Sequence, residues 1–569
     1  MKGLVCIFSC GTLVPLIAFS WAVWVNPLFL DRPFFGGLFC LCCGLFSCAL
    51  FWRLKAHLPR LQNPYRWLLG QLFVYVFLCL RPSPSPVDAR LLVVGIDGAH
   101  WDLVERFHMP TLMSLRQNSI YGSLQADEPL FSPLLWTTIA SGKRPDEHGI
   151  RGFRTQSTDA QSARFWEIAD ANGMSVGLYK WLVTWPPVPF QSGGFVVPAW
   201  LASTPETWPE NLSVVKEIEL SKRLRRRNVM TPRSTVALAV AGIPLGFRLS
   251  TLIDAVQLSL QQRWLNPSEE LVAWAQQLLR IQMDRDVFIQ QLHTHRPDVA
   301  AITLYATDAL GHTHWKWLDC KSSCPPYANA VPEAYAQADA VLHELKAHVS
   351  PDTAILVLSD HGFRAATAAD AAQRFQPKTE QLLTQLQTAF PKLDAAKLGQ
   401  KMVLSLPLGT RQSNVDNLVG ALNDFVVSES GEALYRTELL PHIPNGIGVT
   451  LRLDRVTESD LQRLTVNALP LSAFVSLQEP HSGSHDSMGI FALYRQGTPS
   501  KEQSIHQLDI LPSILALLKV NPAADLEGRS ILENPLLPIP SYNHLRASPQ
   551  PSEEIDVNTE FLEQLGYIE

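Results

Sequence analysis

LLVVGID, residues 91–97, decides the fold of this chain, because six apolar or small residues run directly into an aspartate. VAAITLY (299–305) and TAILVLS (353–359) repeat the pattern, and acidic and histidine residues follow both. Short apolar runs of this length are typical of strands buried inside a parallel sheet. The sequence therefore predicts an α/β fold, in which ligand sites gather beyond the carboxyl ends of such strands.

Metal-binding residue types stand at the end of each run or shortly after it. Asp308 and His312 are spaced so that both side chains can reach one ion, and a later segment, HSGSHDSMGIF (481–491), adds another histidine. Satisfied polar groups at strand ends are the simpler alternative, but the recurrence of the pattern disfavours it. Mixed carboxylate and imidazole ligands suit zinc, and also manganese or iron. The predicted ligands from these segments are Asp97, Asp308, His312, Asp360, His361 and His485.

A candidate nucleophile lies in FSPLLWTTIASG, residues 131–142. Ser132 followed by Pro133 predicts a helix N-cap with proline at the first helical position, and Gly142 predicts the end of that helix. A hydroxyl at a helix N-terminus lies in a positive field that favours a phosphate and helps a serine to ionise. An isolated Ser-Pro pair is usually a plain cap, but the metal-binding residues around it favour a catalytic serine.

Several stretches together resemble the alkaline phosphatase superfamily, from about residue 91 to the C-terminus. Within it, the chain is most similar to type I phosphodiesterases, nucleotide pyrophosphatases and the phosphohydrolase–phosphomutase branch. The stretches that carry the resemblance are VVGIDGAHWD (93–102), SPLLWTTIASGKRPDEHGI (132–150), LYKWLVTWPPVP (178–189), TDALGHTHW (307–315), VLSDHGF (357–363), SHDSMGIFALYRQG (484–497), and LDILPSILALL (508–518) with EGRSI (527–531).

The resemblance implies a central, mostly parallel sheet flanked by helices, with cap inserts and a two-metal site that most often holds zinc. Its nucleophilic Ser or Thr stands ten residues before the glycine of a TG or SG pair, as Ser132 stands ten before Gly142. One metal would be held by Asp97, Ser132, Asp360 and His361, and the other by Asp308, His312 and His485. The implied activity is a phosphatase or phosphodiesterase that works through a covalent phosphoseryl intermediate. The alternative is a transferase that moves a phosphate-linked headgroup onto a lipid or glycan.

The chain also departs from parts of this pattern. The nucleotide pyrophosphatase branch has an asparagine three residues after its nucleophile, where this chain has Leu135. SPLLW (132–136) lacks the arginine of sulfatases and has its proline one place early, which argues against sulfatase chemistry. His148 of the HGI motif is structural in the family and is left out of the predicted site. The expected substrate is a phosphate ester, and lipid-linked and glycan-linked esters are among the candidates.

The first 81 residues predict a membrane anchor with two or three transmembrane helices. The apolar stretches 3–25 and 34–52 are long enough to cross a bilayer, whereas 67–80 is short for a span. Four basic residues and no acid lie between the second and third stretches, so the positive-inside rule places that loop in the cytoplasm. With three spans, the enzyme would lie in the periplasm of a bacterium, at its inner membrane. If 67–80 lies in the membrane interface instead, the enzyme is cytoplasmic.

The remaining chain divides into a linker (82–88), a catalytic domain (89–539) with inserts at about 200–295 and 365–480, and a tail (540–569). Cys320 and Cys324, the cysteines beyond the apolar stretches, are either a disulfide or two free thiols. A basic run at 222–227, followed by an apolar stretch at 236–247, indicates either contact with anionic lipid or a solvated helix beside a packed segment. The net charge of −6 gives no indication of a nucleic-acid partner.

Overall fold

The computed structural model describes residues 84–153, 155–221, 235–366, 375–398, 401–407, 409–440, 445–453, 456, 460–477 and 483–546. The three predicted membrane stretches and residues 547–569 of the predicted tail lie outside these ranges. Among the described residues, no helix combines the length and the apolar character that crossing a membrane requires.

The described strands are β1 Leu91–Ile96, β2 Ser119–Gln125, β3 Val176–Tyr179, β4 Gly194–Val197, β5 Val299–Leu304, β6 Ala354–Leu358, β7 Gly362–Ala365, β8 Phe375–Pro377, β9 Asp394–Leu398, β10 Lys401–Ser405, β11 Tyr435–Leu439, β12 Gly446–Leu451, β13 Thr465–Val466, β14 Leu469–Pro470, β15 Val475–Leu477, β16 Gly483–Asp486, β17 Met488–Tyr494, β18 Lys501–Glu502 and β19 Ile505–His506.

The described α-helices are α1 Trp101–Arg106, α2 Pro110–Arg116, α3 Ser132–Ser141, α4 Pro145–His148, α5 Phe165–Ala171, α6 Ser213–Glu219, α7 Thr235–Gly242, α8 Leu249–Trp264, α9 Glu269–His295, α10 Ala306–His314, α11 Ala330–His348, α12 Thr379–Leu386, α13 Gln412–Asn423, α14 Asp460–Arg463 and α15 Ile510–Leu518.

The central sheet has the strand order β18-β2-β17-β6-β1-β5-β3-β4, with β19 also paired to β2. β1 lies between β5 and β6 and is parallel to both. β17 is antiparallel to both of its neighbours, β2 and β6. The predicted α/β class is thus confirmed, and the sheet is mixed because β17 runs against the strands beside it.

The three quoted apolar runs form β1, β5 and β6, and every residue of these strands is buried. Alternate residues face opposite sides of the sheet. Leu91 and Val93 belong to one apolar cluster, whereas Leu92, Val94 and Ile96 belong to another. Because helices cover both faces, both sets of side chains must be apolar, which explains the continuous apolar runs in the sequence.

Two regions contain elements outside this core. The region proposed as an insert at about 200–295 holds the long helices α8 and α9, which pack against each other. The region proposed at about 365–480 has a sheet of its own, with the order β11-β12-β10-β9, and its own apolar core. Residues of that core include Leu404, Val415, Phe425, Tyr435 and Val449.

Candidate metal centre and nucleophile

The predicted metal ligands meet at the carboxyl edge of the central sheet. Asp97 follows β1 directly, Asp308 lies in the first turn of α10 after β5, and Asp360 and His361 come after β6. His485 lies on β16, which pairs with β7 and leads into β17. Because β17 is antiparallel to β6, its first residues lie at the edge where β6 ends, and His485 reaches the site from there.

His361 lies between the three aspartates. Its Nε2 atom is 3.4 Å from Asp97 Oδ1, 3.7 Å from Asp360 Oδ2 and 3.9 Å from Asp308 Oδ1. The Asp97–Gly98 turn allows this approach, because Gly98 has φ +69° and a Cβ added there would lie 3.1 Å from the Asp308 Cβ. A glycine is therefore needed where the β1 and β5 segments converge.

Asp308 also lies close to the other two histidines, His312 and His485. Its Oδ1 atom lies 3.3 Å from His312 Nε2 and 3.2 Å from His485 Nε2, and the two Nε2 atoms are 2.8 Å apart. Two groups therefore have ligand atoms within 4.8 Å of one another, namely Asp97–Asp360–His361 and Asp308–His361–His485. The family pattern assigns His361 to the first group, whereas the geometry makes this residue common to both.

The donor set fits cations. Asp97 and Asp360 are fully buried, and no donor in the described part of the chain has hydrogen-bonding geometry to Asp97 Oδ1 or to either carboxylate oxygen of Asp360. An unpaired buried carboxylate is costly unless a partner or a metal compensates its charge. Carboxylate oxygens and imidazole nitrogens on several sides of a small space are the ligands that zinc and manganese take in proteins.

The pKa values of the three aspartates are shifted in different directions, which fits the interpretation of the cluster as a metal site. Burial, together with the charges of Asp360 and Asp308, raises the pKa of Asp97 well above its usual range. Burial and the charge of Asp308 likewise raise the pKa of Asp360. Burial also opposes ionisation of Asp308, but His312 and His485 outweigh it and lower its pKa. Two of the three carboxylates are therefore poised to ionise when a positive charge arrives.

Ser132 is the first residue of α3, is buried, and has its Oγ atom 3.5 Å from His361 Nε2. The predicted N-cap position is wrong by one residue, because Phe131 is the N-cap and Pro133 occupies the second helical position. Proline is tolerated there because the first four N–H groups of a helix lack partners within it. Gly142 ends the helix in the left-handed conformation, as predicted, with φ 61°.

Three residues that the sequence did not point to hold Asp97 and Asp360 in position through hydrogen bonds. Trp136, one turn after Ser132 on α3, donates its indole N–H to Asp97 Oδ2 at 3.1 Å. Gln507 donates to the main-chain oxygen of Asp360, and Thr307 donates to that of Asp97. The separation of four residues between Ser132 and Trp136 is a signal that could have indicated a shared helix face.

Other residues considered in the sequence lie outside the cluster. His148 is buried, with its ring bonded to Thr138 and to the N–H of Ile150. Lys143 and Arg144 both bind acidic side chains, Lys143 through Glu147 at 2.7 Å. Leu135 is buried and packs with Ala126 and Leu130.

A cluster of aspartates and histidines around a serine, at the carboxyl edge of an α/β sheet, is an arrangement suited to metal-assisted ester hydrolysis. The model of the family "Type I phosphodiesterase / nucleotide pyrophosphatase" matches residues 91–452. The chain belongs to this family, which is part of the alkaline phosphatase superfamily and consists of phosphoric ester hydrolases.

Solved structures give a more distant comparison. Murine ectonucleotide pyrophosphatase/phosphodiesterase 5, as an inactive variant in complex with AMP, is 12% identical with a TM-score of 0.41, covering 76% of this chain and 96% of that one. The human protein of the same name is 11% identical with a TM-score of 0.41, covering 76% of this chain and 95% of that one. Among curated proteins, no match was found.

Proposed function

We propose that this protein is a membrane-anchored phosphoric ester hydrolase with two metal ions, in which Ser132 is the nucleophile. The observation that carries the proposal is the group of buried carboxylate oxygens without a hydrogen-bond donor in the described part of the chain, directly beside the Ser132 hydroxyl at the start of α3. Family membership supports the reaction class, since type I phosphodiesterases cleave phosphate esters.

The proposed ligands divide around His361. Asp97, Ser132, Asp360 and His361 would hold one ion, and Asp308, His312 and His485 would hold the other, with zinc preferred and manganese as the alternative. When bound, two such ions stabilise the negative charge on the attacking and leaving oxygens of an in-line displacement. The chain itself holds both ligand sets at the ends of β1 and β6, on helices α3 and α10, and on β16.

Ser132 would attack phosphorus from the N-terminus of α3. The positive field at the N-terminus of α3 favours the negative charge of the phosphate. Pro133 has no N–H group, and the N–H groups of Leu134 and Leu135 donate to Phe131 O, so the helix acts through its dipole. The new bond joins Ser132 Oγ to phosphorus while the bond to the leaving alcohol breaks, which gives a phosphoseryl intermediate. Water then releases the phosphate and restores the serine. Trp136 keeps Asp97 in place during both steps through its hydrogen bond to Oδ2.

Membrane attachment through residues 1–81 is part of the proposal, with the catalytic domain outside the cytoplasm. The apolar stretches and the basic loop between the second and third of them support it. The disulfide between Cys320 and Cys324 also supports an oxidising compartment.

The test is hydrolysis of aryl phosphate monoesters and diesters by the purified protein, with Ser132→Ala as the key variant. We expect the variant to lose turnover while it keeps its bound metal and its melting temperature. Thr137→Val is a matched control, because Thr137 is a buried hydroxyl on the same helix that bonds only within it. Normal turnover by the Ser132 variant, or active protein without transition metal, would contradict the proposal. Adding an acceptor alcohol separates hydrolysis from transfer.

A further inference from the structure

Helix α8 presents an apolar face to the outside of the protein. Trp264 is 72% exposed, the following Leu265 is 71% exposed, and Val256 is 59% exposed. Ile253 and Leu260 are also exposed, and the spacing of these residues by three or four places them along one side of the helix. They line a shallow groove of about 680 Å³, whose described lining residues all lie within 249–265.

The opposite side of α8 is less exposed to solvent than the outward face, and it is also less apolar. Thr251 is buried there, and Ala255 and Leu258 are half-buried. Thr251 donates a hydrogen bond to Asp286 of α9, against which α8 packs. A helix at the surface of a soluble protein normally turns its apolar side inward, so the orientation of α8 indicates a partner for the outward face.

The basic residues of this region indicate which kind of partner the outward face of α8 would bind. The sequence KRLRRR (222–227) places five cationic residues among six, in the segment between α6 and α7. α8 itself has one acidic residue, Asp254, and one basic residue, Arg263. An apolar helix face with an exposed tryptophan, together with a basic run earlier in the sequence of the same region, matches the interface of a bilayer that contains anionic lipid. A second copy of this chain would bring an equally basic segment instead.

The described chain begins beside the C-terminal end of α9, the helix against which α8 packs. Pro86, close to the start of the described chain, accepts a hydrogen bond from Arg296 at 3.2 Å, and Arg296 ends α9. Asp286, ten residues earlier on α9, accepts from the N–H of Arg248 at the start of α8, 3.0 Å away. Ten helical residues span about 15 Å. Pro86 therefore lies about 15 Å, measured along α9, from the first turn of α8, and Trp264 lies at the far end of α8.

We propose that the outward face of α8, from Ile253 to Leu265, docks onto the surface of a bilayer that contains anionic phospholipid. The inference rests on the membrane attachment proposed above and adds a second point of contact between the catalytic domain and the lipid. Amphipathic helices of this kind bury their apolar side about 5–10 Å into the boundary between headgroups and acyl chains.

The test is hydrogen–deuterium exchange of the full chain in detergent, in phosphatidylcholine nanodiscs, and in nanodiscs that also contain phosphatidylglycerol. We expect backbone exchange in residues 249–265 to be about tenfold slower in the anionic discs than in detergent, and this protection to weaken at about 0.5 M salt. The double variant Leu260→Glu/Trp264→Glu should lose the protection. Leu439→Glu/Leu537→Glu, which changes two exposed leucines elsewhere, is the matched control and should keep it.

The other outcomes contradict the proposal in distinguishable ways. Equal exchange in all three media, for a chain that copurifies with the discs, overturns docking but not anchoring. Failure to copurify overturns both. Protection already present in detergent identifies another occupant: a second copy if it grows with protein concentration, and the chain's own N-terminal stretch if it does not. Hydrolysis of aryl phosphates is assayed separately, so its outcome does not depend on docking.

Discussion

Replacing Asp360 by asparagine should stabilise the metal-free protein and remove most of its stabilisation by metal. The ligand atoms of Asp97, Asp360 and His361 lie within 4.8 Å of one another. Two carboxylate charges at that distance repel each other by about 3 kcal/mol at an effective dielectric constant of about 20. Proton uptake relieves part of this repulsion in the wild type, so the gain from Asp360→Asn should be about 1–3 kcal/mol. For a domain of roughly 450 residues, that is about 1–3 °C in Tm.

Added metal should make the wild type more stable than Asp360→Asn. A free ion concentration of about 1,000 Kd stabilises the wild type by about 4 kcal/mol, or roughly 4 °C. The variant lacks one charged ligand of the first group and should gain much less. Thermal unfolding with chelator and with added zinc measures both effects. Asp339→Asn is the control, because the Asp339 carboxylate accepts two main-chain hydrogen bonds and its loss should lower Tm in both conditions.

The charges of Asp97 and Asp360 also determine how the stability of the metal-free protein changes with pH. The pKa values of Asp97 and Asp360 are raised in the folded protein, so their neutral forms favour folding at low pH and this contribution is lost as pH rises. The metal-free wild type should therefore lose stability with increasing pH more steeply than Asp360→Asn. A variant that is less stable than the wild type in chelator, or that gains as much from zinc, would refute the interpretation of this cluster as a metal site.

Two further predictions concern buried polar contacts of the catalytic domain. Trp136→Phe removes the hydrogen bond to Asp97 and should weaken metal binding about 10–100-fold by metal titration, whereas Trp166→Phe, whose ring packs on the same Trp181, should leave it unchanged. Glu219→Gln should lower the free energy of unfolding by about 3 kcal/mol near pH 7, because Lys180 and Lys216 contribute to lowering the Glu219 pKa to about 2 despite its burial. This difference should disappear as pH falls from about 4.5 towards 2, since the folded-state pKa lies below the unfolded one; a constant difference would contradict it.

The parts of the fold that the sequence predicts correctly are those with a local signature. β1, β5 and β6 are continuous apolar runs because both faces of the sheet are covered, and the residues after them lie at one edge for that reason. The direction of β17 has no such signature, since MGIFALY would be apolar in either orientation. The start of α3 was misplaced because proline is compatible with either the first or the second helical position.

Other features of the site depend on tertiary structure and could not be predicted from the sequence. Membership of a ligand set follows from residue type and spacing, but the common position of His361 depends on how β1, β5 and β6 are aligned. The bond from Trp136 to Asp97 depends on the packing of α3 against the sheet, whereas the four-residue spacing from Ser132 indicates only a shared helix face. The proposed membrane anchor stays a prediction, because residues 1–83 lie outside the described chain.

The position of His485 on the approach to the antiparallel strand has a consequence for biosynthesis. Asp97 and His485 are 388 residues apart (485 minus 97), and the whole region of β8–β15 is translated between them. At about 5–20 residues per second, a ribosome needs roughly 20 to 80 seconds to cover that interval. Throughout it, the nascent chain carries Asp97 and, from partway on, Asp308 and Asp360, without the histidine that completes the site. The second proposed ion, whose ligand set includes His485, could therefore be bound only after most of the polypeptide has been synthesised, whereas the first ligand set is complete once His361 has been made.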